Sequence, residues 1–269
     1  MGCILSLEHL EIARLAAQEG GTVLMKRLGN AGRIDFKGKI DLVSEADRES
    51  DEAILNLLSK LAPDIHITSE EKVESHGRKP ERWIVDPLDG TTNFAHSLPG
   101  FSVSIAYESE GAIEAGVVFD PYHREEFSAA AGTGAKLNGE KISVSKVDKL
   151  SNALAATGFP YESEGIFELV IETVREMLSS TQGLRRLGSA ALDICYTALG
   201  RFDLFYEFRL EPWDIAAASI ILKEAGGEIS SPFGSAFDVE SGDILVTNGL
   251  IHQETIAALE RARLRAEKL

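Results

Sequence analysis

Long apolar runs are missing from this sequence. No stretch approaches the roughly 20 residues that a membrane-spanning helix needs, and the basic, apolar and small-residue succession of a secretory leader is absent. Cysteine is scarce: only Cys3 and Cys195 occur, one in the opening segment and one in an apolar helical run. No bridge is expected between them, and a reducing cytoplasm fits that usage. There is no low-complexity tract, no linker rich in Pro, Gly or Ser, and no internal repeat. That leaves one domain over 1–269, with an N-terminal α+β half (about 1–145) and a C-terminal α/β half (about 146–269).

Basic residues are outnumbered, 27 against 43 acids, for a net charge of −16. A field of that sign excludes nucleic acid and anionic membranes as expected partners. It also repels a phosphate ester, so a phosphate-handling site here needs cations to reverse the local sign. The opening Met1-Gly2-Cys3-Ile4-Leu5-Ser6 fits a loose acylation pattern, but these residues are read as a frayed start.

What is present is an ordinary globular composition, 44% hydrophobic and 26% charged. Small or apolar residues at Leu10, Ala13, Ala17, Gly20, Leu24 and Leu28 predict a first helix, stopped by Asn30 and Gly32. A second helix is predicted over 45–61, with Ser44 as its cap, Asp47 in the capping-box position, and Ile54, Leu57, Leu58 and Leu61 on one face. Short β-rich runs at 83–85, 101–107, 112–119 and 125–130, then the tight turn Asn138-Gly139, predict an antiparallel sheet. Helices near 163–179, 189–199, 213–225 and from 253, with strands at 203–206, 228–230 and 244–246, complete a mixed α/β pattern of helix and sheet layers.

Acidic residues interrupt the apolar strands at particular places. Ser69-Glu70-Glu71 follows Ile65-His66-Ile67-Thr68. Asp86-Pro87-Leu88-Asp89-Gly90-Thr91-Thr92-Asn93 follows Trp83-Ile84-Val85, and Asp214 follows Trp213 at the opening of an apolar helix. Taken singly, Asp89-Gly90 is a turn, Glu70-Glu71 a solvated pair and Asp214 a helix cap. Together, carboxylates at the ends of buried strands repel one another and call for a cation. Oxygen donors without His or Cys point to Mg²⁺, Mn²⁺ or Ca²⁺ rather than Zn²⁺. Pro87 stiffens the turn between Asp86 and Asp89, Gly90 lets backbone approach a ligand, and Thr91 and Thr92 offer donors to phosphate oxygens. Metal ligands beside phosphate donors are what phosphoryl transfer requires.

Residues 83–94, from Trp83 through the Asp86-Pro87-Leu88-Asp89-Gly90-Thr91-Thr92-Asn93 run to Phe94, resemble the first signature of the inositol monophosphatase family. Glu211-Pro212-Trp213-Asp214-Ile215-Ala216-Ala217-Ala218, continuing to Glu224-Ala225-Gly226-Gly227, resembles the second. Asp41 to Asp47 and Ser69-Glu70-Glu71 are similar to two further family segments in the same order. The resemblance implies an αβαβα sandwich of the sugar-phosphatase type, a homodimer, two or three Mg²⁺ per site and inhibition by Li⁺. It implies that Glu70, Asp86 and the Leu88 carbonyl hold one metal, and Asp86, Asp89 and Asp214 a second. Glu70 helps hold a weaker third ion and so joins Asp47 and Thr91, which activate the attacking water, as a catalytic residue. Gly90 and Thr91 amides grip the phosphate, and Gly188, Ser189, Ala190 and Glu207 line the alcohol, with Asp214 also among the substrate-binding residues. The implied reaction is hydrolysis of a small phosphate ester, foremost inositol 1-phosphate. Histidinol-phosphate, fructose-1,6-bisphosphate and 3′-phosphoadenosine-5′-phosphate are the alternatives, with Arg185, Arg186 and Arg209 as the basic groups a second phosphate needs. A regulatory protein-binding role is the alternative of another class.

Ser44, Ser69 and Ala218 depart mildly from the family pattern, and Lys37 and Lys39 both match a family lysine upstream of Asp41. Gly132-Thr133-Gly134 reads as a tight turn rather than a phosphate loop, and His96 as a rim residue.

Overall fold

The structure is a computed structural model that describes residues 2–30, 34–36, 42–71, 80–160 and 164–269, with the side chains of 2–5, 34–36 and 42–44 left aside. Lys37, Lys39 and Asp41 lie outside the described residues, as do the side chains of Cys3 and Ser44.

The N-terminal portion starts with α1 (Gly2–Arg27), the ribbon β1 (Ile34–Phe36) and β2 (Leu42–Ser44), and α2 (Glu45–Leu61). It continues through β3 (His66–Ser69), β4 (Glu81–Asp89), the short α3 (Thr91–Ala95), β5 (Ser102–Ser109), β6 (Ala112–Asp120), β7 (Glu125–Ala130) and the hairpin β8 (Lys136–Leu137) and β9 (Glu140–Lys141). Strands β3 to β9 form one sheet in sequence order, parallel only between β3 and β4. Then come β10 (Leu154–Thr157), α4 (Phe167–Ser180), β11 (Gly183–Arg185), α5 (Ala190–Ala198), β12 (Leu204–Glu207), α6 (Pro212–Glu224), β13 (Glu228–Ser230), β14 (Ile244–Thr247) and α7 (His252–Ala266). The second sheet has the order β11-β10-β12-β14-β13.

Five layers follow from three cores. Along β4 to β6 the pleat sends Trp83, Val85, Ile105 and Val117 to one face, where they pack with Ala13, Ala17 and Leu24 of α1 and Ile54 and Leu58 of α2. Ile84, Ala106 and Val118 point the other way and meet α5 and α6, which also cover Phe205 and Val246 of the second sheet. The outer face of that sheet, Ala155, Leu204 and Leu245, packs with Val170 and Met177 of α4 and Ala258 and Leu259 of α7. The order α1/α2, sheet, α5/α6, sheet, α4/α7 is the expected αβαβα arrangement. Ala218, the departure from the family pattern, is buried in the central layer. Arg14 and Gln18 of α1 clasp the buried Glu126 of β7 at 2.6 Å each, so the outer helix is tied to its sheet by charge as well as by apolar area.

Several expectations change. Helix α1 begins at Gly2 rather than fraying, and it stops at Gly29, whose φ of 80° is the left-handed turn that ends a helix. Asn30 only follows, and Gly32 is outside the described residues. Leu61 is exposed, not on the buried face of α2. Asn138 and Gly139 take φ of 50° and 86°, the pair a tight two-residue hairpin needs. Strands β10 and β11 were not expected at all.

Candidate metal and phosphate site

The site is built on an irregularity in β4. Asp86 pairs with Ser104 of β5, but Asp89 pairs with Ser102, so three steps on one strand meet two on the other. This bulge turns the strand at Pro87 and ends it in a cluster of carboxylates. The Leu88 amide donates back to Asp86 Oδ1 at 2.9 Å. Asp89 Oδ2 accepts from the Ser189 hydroxyl, from the Ala191 amide at 3.1 Å and from Ser102 at 3.4 Å. Ser189 is itself the N-cap of α5, accepting from the Leu192 amide at 3.2 Å. Asp214 closes a capping box at the start of α6, its Oδ2 accepting from the Glu211 amide at 2.8 Å. Capping, the commonplace role for such an Asp, therefore occupies one oxygen and leaves the other for the site.

Asp86, Asp89, Asp214 and Glu70 lie within electrostatic reach of one another. Burial first, then Glu70, Asp89 and Asp214, push the Asp86 carboxyl well above its ordinary range. Burial raises Asp89 to about 6 against the opposing pull of its hydrogen bonds. Burial and then Asp89 raise Asp214, which keeps a partly exposed surface. Among the described residues, no three His, Cys, Asp or Glu side chains are drawn up as a finished coordination shell. The donor chemistry nevertheless fits a hard divalent cation, since the donors gathered there are several carboxylates and a carbonyl.

Thr91, at the start of α3, has its hydroxyl 3.0 Å from the Leu88 carbonyl and 3.3 Å from Asp47 Oδ1, across from α2. One hydroxyl carries one proton, so it serves one of these acceptors at a time. Donating to Asp47 releases the Leu88 carbonyl from that hydrogen bond. Gly90 has φ of 87°, and a Cβ there would lie 2.8 Å from the Gly100 carbonyl, so only glycine fits.

The residues expected to line the alcohol come from the C-terminal part of the chain. Gly188, Ser189 and Ala190 form the entry to α5, and Glu207 ends β12. Glu207 is buried and packs where a side chain on Gly158 would stand. Burial pushes its carboxyl up to about 8, with Arg186 opposing and Asp89 adding to the rise. At that value the group is mostly protonated at neutral pH. The basic group acting on it is Arg186, which also stands over the Phe159 ring, 5.8 Å from its centroid.

A match over residues 6–264 to the profile described as the inositol monophosphatase family decides the lineage. The chain belongs to the inositol monophosphatase family. With that family it is a phosphatase acting on phosphate monoesters. It is 40% identical to the inositol-1-monophosphatase of a Synechocystis species, over 97% of this chain and 94% of that one. It is also 40% identical to the Nus factor SuhB of Pseudomonas aeruginosa, over 89% and 91%. Among solved structures, the Thermotoga maritima IMPase superposes with a TM-score of 0.88 at 36% identity, covering 96% of this chain and 99% of that one.

Other sequence features take structural roles. Gly132 and Gly134 donate their amides to the two carboxylate oxygens of Glu224 at 2.8 and 2.7 Å, so that loop binds an anion of its own chain. His96 is exposed at the end of α3. Near the site, Gly158 and Asp193 escaped the sequence reading, and Asn93, part of the signature run, was given no role. Asp193 is buried in α5, one of its oxygens has no hydrogen-bond partner, and burial raises its carboxyl strongly. A lone Asp inside the apolar run 190–199 was the available signal.

Proposed function

We propose that this phosphatase hydrolyses inositol 1-phosphate, or a closely similar polyol monophosphate, with Mg²⁺ as cofactor. The bulge of β4, which sets Asp86 and Asp89 beside Glu70, Asp214 and the Thr91–Asp47 pair, is the observation that carries this reading. Glu70, Asp86 and the Leu88 carbonyl would hold one Mg²⁺, Asp86, Asp89 and Asp214 a second, and Glu70 part of a weaker third. Bound there, the cations neutralise phosphate oxygens and lower the barrier to attack by water.

The protein supplies the rest. Amides of Gly90 and Thr91 hold the phosphate. With its proton directed to Asp47, the Thr91 hydroxyl accepts from a water and aims it in line with the ester bond. Gly188, Ser189 and Ala190 border the alcohol, and Glu207, mostly neutral, donates a hydrogen bond to one polyol oxygen and accepts from another. The chain is proposed to act as one domain and as a cytoplasmic homodimer. The exposed apolar stripe Phe167, Ile171 and Leu178 on α4 supports self-association, which sedimentation would report as twice 29.2 kDa.

A panel of phosphate esters assayed with Mg²⁺ tests the reading. Inositol 1-phosphate should be hydrolysed in preference to fructose 1,6-bisphosphate, EDTA should abolish phosphate release, and Mg²⁺ should restore it. Full activity in chelator would remove the metal mechanism. Thr91→Ala should lower kcat roughly 10²-fold with little change in KM, because it orients the nucleophile without gripping the alcohol. Glu207→Ala, which removes both the donor and the acceptor, should raise KM for inositol 1-phosphate more than for p-nitrophenyl phosphate, which has no polyol to contact. Equal effects on both esters would show that Glu207 does not touch substrate.

The likeness to a protein named a Nus factor favours one second reading, a regulatory role through a protein partner. A partner that stays bound to the Asp214→Asn variant in pull-down would support it as separate from catalysis.

A further inference from the structure

Asn93 sits in the signature run of β4 and α3, yet neither the metals nor the phosphate has a use for it. It is buried, and its Nδ2 donates to two carbonyls: Gly100, seven residues on, at 2.7 Å, and Leu187, 94 residues on, at 2.8 Å. Both protons of the carboxamide are thereby committed.

Three left-handed glycines converge around it: Gly90, Gly100 and Gly188, with φ of 87°, 89° and 97°. A Cβ on Gly100 would lie 3.3 Å from Asn93 Nδ2, and one on Gly188 would lie 3.2 Å from Nδ2 and 3.4 Å from Oδ1. A Cβ on Gly90 would meet the Gly188 carbonyl at 3.3 Å as well as that of Gly100. Three backbone segments are thus pressed into contact, two of them from the first sheet's side and one from the entry to α5. Leu187 immediately precedes Gly188-Ser189-Ala190, and from that turn Ser189 and the Ala191 amide reach back to Asp89.

We infer that Asn93 is a positioning residue, a latch that fixes the turn bearing Gly188, Ser189 and Ala190 against the turn bearing Gly90 and Thr91. It sets the distance between the place where phosphate is held and the place where the alcohol is held. This inference rests on the proposed polyol-phosphate reading. A side chain with two N–H donors on one nitrogen can bridge two carbonyls. Alanine leaves both carbonyls unpartnered, and aspartate keeps the shape but sets carboxylate oxygen against carbonyl oxygen.

A residue that only stabilised the fold would, when lost, lower turnover of every ester alike. A latch affects most the substrate whose two ends must both be placed, since a misplacement of about 1 Å costs up to ~10²-fold. Asn93→Ala and Asn93→Asp in the full chain should therefore lower kcat/KM for inositol 1-phosphate by roughly 10–100-fold, and for p-nitrophenyl phosphate several-fold less. Amide hydrogen exchange at Ala191 and Leu192, measured without substrate, should quicken about 10-fold as their turn loosens. The aspartate variant preserves the packing if the alanine variant does not fold. An equal fall for both esters, or unchanged exchange at 191 and 192, overturns the latch. A wild-type enzyme inactive on inositol 1-phosphate overturns the substrate reading instead, and the exchange experiment still decides the latch.

Discussion

Asp89→Asn should lower Mg²⁺-dependent kcat/KM at least ~10³-fold while leaving the fold intact, since metal stabilisation of the transition state is worth several kcal/mol. The two oxygens of Asp89 do different work. Oδ2 accepts from Ser189, from the Ala191 amide and from Ser102. An asparagine can keep its single oxygen facing those three donors, and orienting it the other way would oppose donor to donor. Its NH₂ group then stands where a cation needs a lone pair. The substitution therefore spares the link between β4 and α5 and removes the proposed metal ligand. Without metal, the variant should melt no lower than the wild type, because a carboxylate raised to about 6 by burial opposes folding at neutral pH. Full phosphatase activity in the purified variant would refute the ligand assignment. A large fall in Tm would mean that the hydrogen bonds, and not the metal, account for the lost activity.

How much of this was legible in the sequence depended on how local each signal was. Helix α2 was read to both ends because its apolar period acts within a few residues. A turn at Pro87 was legible too, since a proline between two aspartates stiffens the chain locally, but not that the strand runs on to Asp89 with a bulge inside it. Strands β10 and β11 were invisible: Leu154-Ala155-Ala156-Thr157 and Gly183-Leu184-Arg185 carry little β propensity, and burial makes β10 a strand while the edge strand β11 is held by its parallel pairing with β10. The carboxylates that would hold metal could be named from residue type and order, but not the partners that orient them. Ser189 lies 100 residues from Asp89, and Leu187 lies 94 from Asn93, separations at which no local pattern reports contact. Glu207 shows the same limit for charge. Its position marked it as a substrate contact, but its protonation state comes from burial beside Gly158 and from Arg186, which only the fold brings together.

That protonation state predicts a stability effect. The Glu207 carboxyl titrates at about 8 in the fold, against 4.5 for an ordinary glutamate. Between those values the native state holds a proton that the unfolded chain has released, so unfolding stability falls as pH rises through the window. The loss is complete above the folded value and absent below the unfolded one. At ~1.4 kcal/mol per unit, discounted for coupling to Asp89 and Arg186, it is on the order of 3 kcal/mol. Glutamine keeps the shape and a donor but has no proton to lose. In EDTA, wild type and Glu207→Gln should have nearly the same Tm at pH 5, while at pH 8.5 the variant should melt roughly 5–10 °C higher. Asp86, Asp89, Asp193 and Asp214 are also raised and impose a falling slope on both proteins, and Glu207 adds to the rise of Asp193 and Asp214, so the difference between the two curves reports Glu207 together with its effect on those two groups. A gap that is equal at pH 5 and 8.5 would place the Glu207 carboxyl in its ordinary range. The proposed polyol contact would then be with a charged acceptor rather than a neutral donor.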